Sequence, residues 1–99
     1  MSYEVVIARS ARSDFERFDA RWRSRLKHAL QIHLQHEPKR ESKSRIKRLH
    51  GLNQPQYRLR VDVFRVFYDV DDTAKRVEVL GIVHKDDVQQ WLVEFGIKA

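Results

Sequence analysis

Tyr57-Arg58-Leu59-Arg60-Val61-Asp62-Val63-Phe64-Arg65-Val66-Phe67-Tyr68-Asp69-Val70 decides the fold. Side chains alternate between the two faces of a strand. If Asp62-Val63 is the tip of a hairpin, Val61 pairs with Phe64 and Arg60 lies opposite Arg65. Tyr57, Leu59, Val61, Phe64, Val66, Tyr68 and Val70 then share an apolar face fit to pack on helices. Arg58, Arg60, Arg65 and Phe67 share the other face. Like charges facing each other across a ladder destabilise a sheet. Three guanidiniums on one face therefore point to an anion, and the Arg fork matches phosphate oxygens in pairs. Val63 fits poorly in a two-residue turn that wants positive φ, so the register at the tip is the open point.

Outward from this hairpin, Tyr3–Ala8 is β-rich, and Arg76–Val83 is a Val-rich third strand reached through an Asp71-Asp72-Thr73 turn. Phe15, Phe18, Trp22, Leu26, Leu30 and Leu34 recur at spacings of 3, 4, 4, 4 and 4. They form one apolar stripe, of a single helix or of two broken near Asp19. Ser10 and Ser13 are candidate caps. Pro38 ends the helical pattern, and residues 37–45 read as a polar loop. Ile46–Gly51 is a short basic element. Val88, Trp91, Leu92 and Phe95 return to helical spacing near the end of the sequence. The expected order is β-α-α-β-β-β-α, with an antiparallel sheet packed against an N-terminal helical hairpin and a short C-terminal helix. This is an α+β fold, expected to form a single domain over residues 1–99.

Composition narrows the chemistry. The 99 residues contain no Cys, so disulfides, thiol catalysis and zinc-thiolate sites are excluded. His28, His33 and His36 lack suitably placed partner ligands, and no metal or other cofactor is expected. No glycine-rich phosphate loop or GxSxG motif is present. No apolar run approaches the roughly 20 residues of a membrane span, and no secretory signal is visible, so a cytoplasmic protein is expected. The net charge of +6 is uneven: residues 1–36 carry +3, residues 37–65 carry +6 and residues 66–99 carry −3. Such clustering is the electrostatic footprint of a polyanionic partner, with nucleic acid the first candidate, an acidic protein segment the second and an anionic membrane surface the third. Lys47 and Arg48 in the basic element are RNA-binding candidates. Phe67 is placed either to stack on a base or to pack under a loop. His84 can move a proton near neutral pH, and Lys85 can stabilise developing negative charge.

The ordered set Ile46–Gly51, Tyr57–Val61, Phe64–Val70 and Gly81–Val88 resembles the RelE/ParE toxin superfamily of bacterial toxin–antitoxin modules. The resemblance covers nearly the whole chain. It implies a compact α+β fold and a cognate antitoxin as tight partner. In the RelE branch it implies cleavage of mRNA in the ribosomal A site. The basic catalytic strand positions of that branch match Arg58, Arg60 and Arg65, and its strand-end basic position falls near His84 and Lys85. The glycine usual at the hairpin tip is replaced by Val61-Asp62-Val63, and Gln89 stands near the place of a frequent Tyr. The expectation is an endoribonuclease (mRNA interferase) that needs no metal and inhibits translation. In it the RNA 2′-hydroxyl attacks the adjacent phosphorus, with Arg58, Arg60, Arg65, His84 and Lys85 as catalytic groups. The alternatives are a non-enzymatic ParE-like toxin that blocks DNA gyrase, and a degenerate member that only binds an antitoxin.

Overall fold

The computed structural model describes residues 2–99. The elements run β1 (Glu4–Ile7), α1 (Arg9–Arg17), α2 (Ala20–Leu34), β2 (Ile46–Arg48), β3 (Leu52–Gln54), β4 (Tyr57–Val61), β5 (Phe64–Asp71) and β6 (Arg76–His84), then a 3₁₀ turn (Lys85–Asp87), α3 (Val88–Phe95) and β7 (Ile97–Lys98). The main sheet has the order β1-β6-β5-β4-β2, and β3 pairs with β7 in a small second ladder. The α+β architecture expected from the sequence is present, with three additions. The basic element 46–51 contributes the edge strand β2, β3 and β7 form an extra ribbon, and β1 runs parallel to β6.

The apolar stripe breaks into two helices where Asp19 caps α2, its Oδ1 accepting from the Trp22 N–H at 2.9 Å. Ser10 does not cap α1. Ala8 holds that position, and the Ser10 hydroxyl donates to the Leu80 carbonyl at 2.9 Å. Leu26, Leu30 and Leu34 of α2, with Ala11 and Phe15 of α1, pack on Leu59, Val66, Tyr68, Val77, Val79 and Ile82 of the sheet. This buried apolar area is the main source of stability. The Tyr68 hydroxyl lies inside the core and donates to the Pro38 carbonyl at 2.7 Å, which ties the loop after α2 to the sheet.

The opposite face of the sheet is covered only at its middle. There α3 lays Trp91 flat on Phe67, with ring centroids 4.7 Å apart and planes 8° apart. Gly81, the β6 partner of Phe67, makes room: a Cβ built on it would stand 2.3 Å from Trp91 Cζ2. No helix of the structure is long and apolar enough to cross a membrane.

Candidate nucleic-acid interface

The hairpin forms in the expected register. Tyr57 faces Tyr68, Arg58 faces Phe67, Leu59 faces Val66, Arg60 faces Arg65 and Val61 faces Phe64. The tip resolves the difficulty with Val63. Asp62 alone takes the left-handed conformation (φ 56), which Asp tolerates better than a β-branched residue. Arg25 of α2 pairs with Asp62 at 3.0 Å, pinning the tip to the helices.

Register places the charges. β2 pairs with β4 so that Lys47 lies opposite Arg58. The Arg45 carbonyl, just before β2, accepts from the Arg60 N–H at 2.9 Å. The face therefore carries Arg60 and Arg65 in one row and Lys47 and Arg58 in the other, with Arg45 in the bend at the sheet edge beside the first row. Two residues of strand separate the rows by about 7 Å. The Lys85 backbone stands beside the tip, its N–H donating to the Val63 carbonyl at 2.8 Å.

The guanidiniums disturb one another. Burial pushes the Arg58 pKa down from its ordinary value, and the charges of Arg65 and Arg60 push it further. Burial and the Arg60 charge act the same way on Arg65. Arg remains protonated at any working pH, so these shifts register burial first and mutual repulsion second, and a bound anion would offset both. Arg65 Nη1 is steered by the carbonyls of Asp62 and Phe64, both accepting at 2.9 Å. Arg58 Nε is buried and, among the described residues, has no hydrogen-bond partner. An unsatisfied buried donor is costly.

Three expected site residues lie elsewhere. Phe67 is fully buried under Trp91, so it cannot offer its ring to a base. Arg48 lies opposite Tyr57 on the helix side of the sheet. Its Nη1 donates to the Gln56 carbonyl at 2.7 Å and its guanidinium sits 5.1 Å over the Tyr57 ring, so it braces the core rather than the basic face. His84 pairs with Phe64 on β6, and cross-strand partners share a face. Its ring therefore lies with Phe64, centroids 6.1 Å apart, on the side away from Arg58, Arg60 and Arg65. There its Nδ1 accepts from the Asp86 N–H at 3.1 Å. The alternation of a single strand could not place His84, because its face depends on the pairing of β6 with β5. Arg45 lies in the loop expected over residues 37–45, and that expectation alone does not place it beside Arg60. Its only sequence signal was the run of basic residues leading into Ile46.

Fold and face together define a small α+β domain whose sheet is apolar and helix-covered on one side and cationic on the other. Residues 5–88 match the family described as ParE toxin of type II toxin–antitoxin system, parDE, and the chain belongs to that family. It is thus a toxin of a toxin–antitoxin module within the RelE/ParE superfamily. No curated protein sequence matches it. Among solved structures, the archaeal RelE–RelB complex from Pyrococcus horikoshii contains a chain of the same fold: TM-score 0.68, 24% identity, covering 86% of this chain and 97% of that one. The toxin–antitoxin complex RelBE2 from Mycobacterium tuberculosis gives TM-score 0.65 and 23% identity, covering 85% of this chain and 99% of that one. A doubly substituted E. coli toxin RelE in the free state gives TM-score 0.66 and 23% identity, covering 95% of this chain and 97% of that one.

Proposed function

We propose that this toxin inhibits translation by cutting mRNA on the ribosome, with the two basic rows as its phosphate-binding and catalytic surface. The support is the convergence of Arg58, Arg60, Arg65 and Lys47 on one face, with a buried guanidinium nitrogen left without a partner. The RNA 2′-oxygen bonds to the adjacent phosphorus and the bond from phosphorus to the 5′-oxygen breaks. The 2′-hydroxyl loses its proton and the departing 5′-oxygen gains one. The products are a 2′,3′-cyclic phosphate and a 5′-hydroxyl. Arg58, Arg60 and Arg65 neutralise charge building on the phosphate, and such preorganised charge is usually the largest catalytic contribution. Lys47 and Lys85 supply ammonium groups at the margins. The chemistry as written asks for no metal ion.

His84 has no part in this scheme, being on the other side of the sheet. With His84 on the other side and Arg58, Arg60 and Arg65 unable to act as bases, proton transfer in this scheme falls to solvent or to the ribosome. Loss of general acid–base catalysis typically costs about 10²- to 10⁴-fold. Holding the mRNA in an attack geometry on the ribosome offsets part of that loss. The partner that restrains the toxin is a cognate antitoxin, whose acidic or amphipathic segment would complement the cationic face. The solved structures of similar fold include toxin–antitoxin complexes.

A second reading has its own support. The family match is to ParE toxins, and a basic face from which His84 is turned away suits a toxin that acts by binding alone, as a ParE-like inhibitor of DNA gyrase would. RNA from cells expressing the chain separates the two. Discrete cuts within translated messages support the nuclease. Intact messages with signs of DNA damage support the gyrase inhibitor.

A further inference from the structure

Single-stranded nucleic-acid sites usually pair a cationic track with rings on which bases stack. Here the rings nearest the basic rows are already covered. Phe67 lies under Trp91, and Trp91 also meets Phe95 at 5.5 Å. Tyr57 stacks on Tyr68, and Phe64 is held by Phe18 and Trp22. The face as it stands offers charge to phosphates, and the one ring on that side that stays exposed, Phe95, belongs to α3 rather than to the basic strands.

A place for a base opens at the β2 edge. Arg45 stands in the bend beside the row of Arg60 and Arg65, and its Nη1 reaches back to the Arg60 carbonyl at 3.4 Å. The same Arg45 lines a cavity of about 380 Å³ between the end of α2 and β2, together with Ile32, His33, His36, Glu37 and Glu41. That size falls within the range of small-molecule sites. Its character is mixed. His33 is half-buried, and burial first, then the Arg45 charge, hold its imidazole below the ordinary value and so favour its neutral form. The carboxylates of Glu37 and Glu41 balance the charges of Arg40 and Arg45. Ile32 leaves 56% of its surface exposed, one of the few large apolar side chains so placed. A charge-balanced cleft with planar and apolar walls suits a heterocycle better than a second phosphate.

We infer that this cleft is a nucleobase subsite: a strand whose phosphate sits on Arg60 and Arg65 crosses the β2 edge at Arg45 and lays its next base among His33, His36 and Ile32, with Glu37 and Glu41 able to accept from its N–H groups. The inference rests on the reading of the basic face as a single-strand binding surface, and it adds a base-recognition element to it.

Short single-stranded oligodeoxynucleotides test it, since without a 2′-hydroxyl they cannot be cut by the proposed chemistry. Calorimetric titration would compare intact trinucleotides with trinucleotides made abasic at either terminal position. An abasic substitution at one end is expected to weaken binding about 5- to 100-fold. The His33→Ala, His36→Ala double variant, and separately Ile32→Ala at an exposed position, should erase that difference and leave the abasic oligomer bound as before. Circular dichroism checks that each variant folds. Equal binding of intact and abasic oligomers overturns the subsite alone. So does a variant that weakens both equally. Absence of binding by every oligomer overturns the subsite and the single-strand reading of the basic face together.

Discussion

Arg60 lies directly opposite Arg65 across the β4–β5 ladder, with Arg58 two residues further along the same face. A sheet optimised for stability would not hold this arrangement. Arg65 gains two backbone acceptors, whereas Arg60 is exposed at the ladder. Arg60→Thr should therefore raise stability by a few tenths to about 1 kcal/mol, the usual scale of a cross-strand pair. The same change should weaken RNA binding. Urea unfolding and RNA titration on one preparation would show the two effects moving in opposite directions. A variant less stable than the parent would contradict this reading of the pair.

The seat of α3 can be measured by a double-mutant cycle. Trp91→Ala removes the ring stacked on Phe67 and should cost about 3 kcal/mol. Gly81→Ala thrusts a methyl group into the space of that ring and should cost about 1–3 kcal/mol by overpacking. With Trp91 already removed, Gly81→Ala should cost much less, because the clash has gone. Additive losses in chemical denaturation would mean that the two residues do not share one contact.

The hairpin tip makes a separate prediction. Asp62 takes φ 56, which Gly adopts freely and β-branched residues resist. Asp62→Gly loses an exposed ion pair to Arg25, worth between nothing and about 1 kcal/mol. It gains a comparable relief of backbone strain, so the net change in thermal unfolding should be small. Asp62→Val should be destabilising by more than 1 kcal/mol.

Stability should also fall on mild acidification through His33. Burial and the Arg45 charge lower its folded-state pKa, so at and just below the ordinary value of 6.5 the unfolded chain holds more protons. Stability therefore rises with pH in that window and is lost as the pH falls through it. His33→Gln should flatten this part of a stability–pH curve. An unchanged slope in the variant would remove His33 as its source.

Much of this architecture was legible because a period of two leaves little freedom once one face is apolar. The pairing of Val61 with Phe64, and hence the facing arginines, follows from alternation and hairpin length. The stripe from Phe15 to Leu34 marked the helical face, and Asp19 marked its break. What escaped depends on contacts distant in sequence. Phe67 looks like a face residue until Trp91 arrives over Gly81. His84 follows the arginines in sequence, but its face is set by the β5–β6 register, which shifts between Phe67 and Tyr68. Ser10 has the chemistry of a cap but spends its hydroxyl on Leu80. Two- and three-residue strands such as β3 and β7 are too short to carry a period at all.

The most direct test of the central claim is to incubate the purified chain with ribosomes carrying a defined message and to determine the ends of the RNA. The account expects discrete cuts bearing 2′,3′-cyclic phosphate and 5′-hydroxyl ends. Arg58→Ala should lose them by 10²-fold or more, given the magnitude of removing one preorganised charge contact. His84→Ala should leave them within about threefold of the parent, well short of a lost acid–base group. Messages left intact by the parent chain, or cleavage that depends on His84 and not on Arg58, would contradict it.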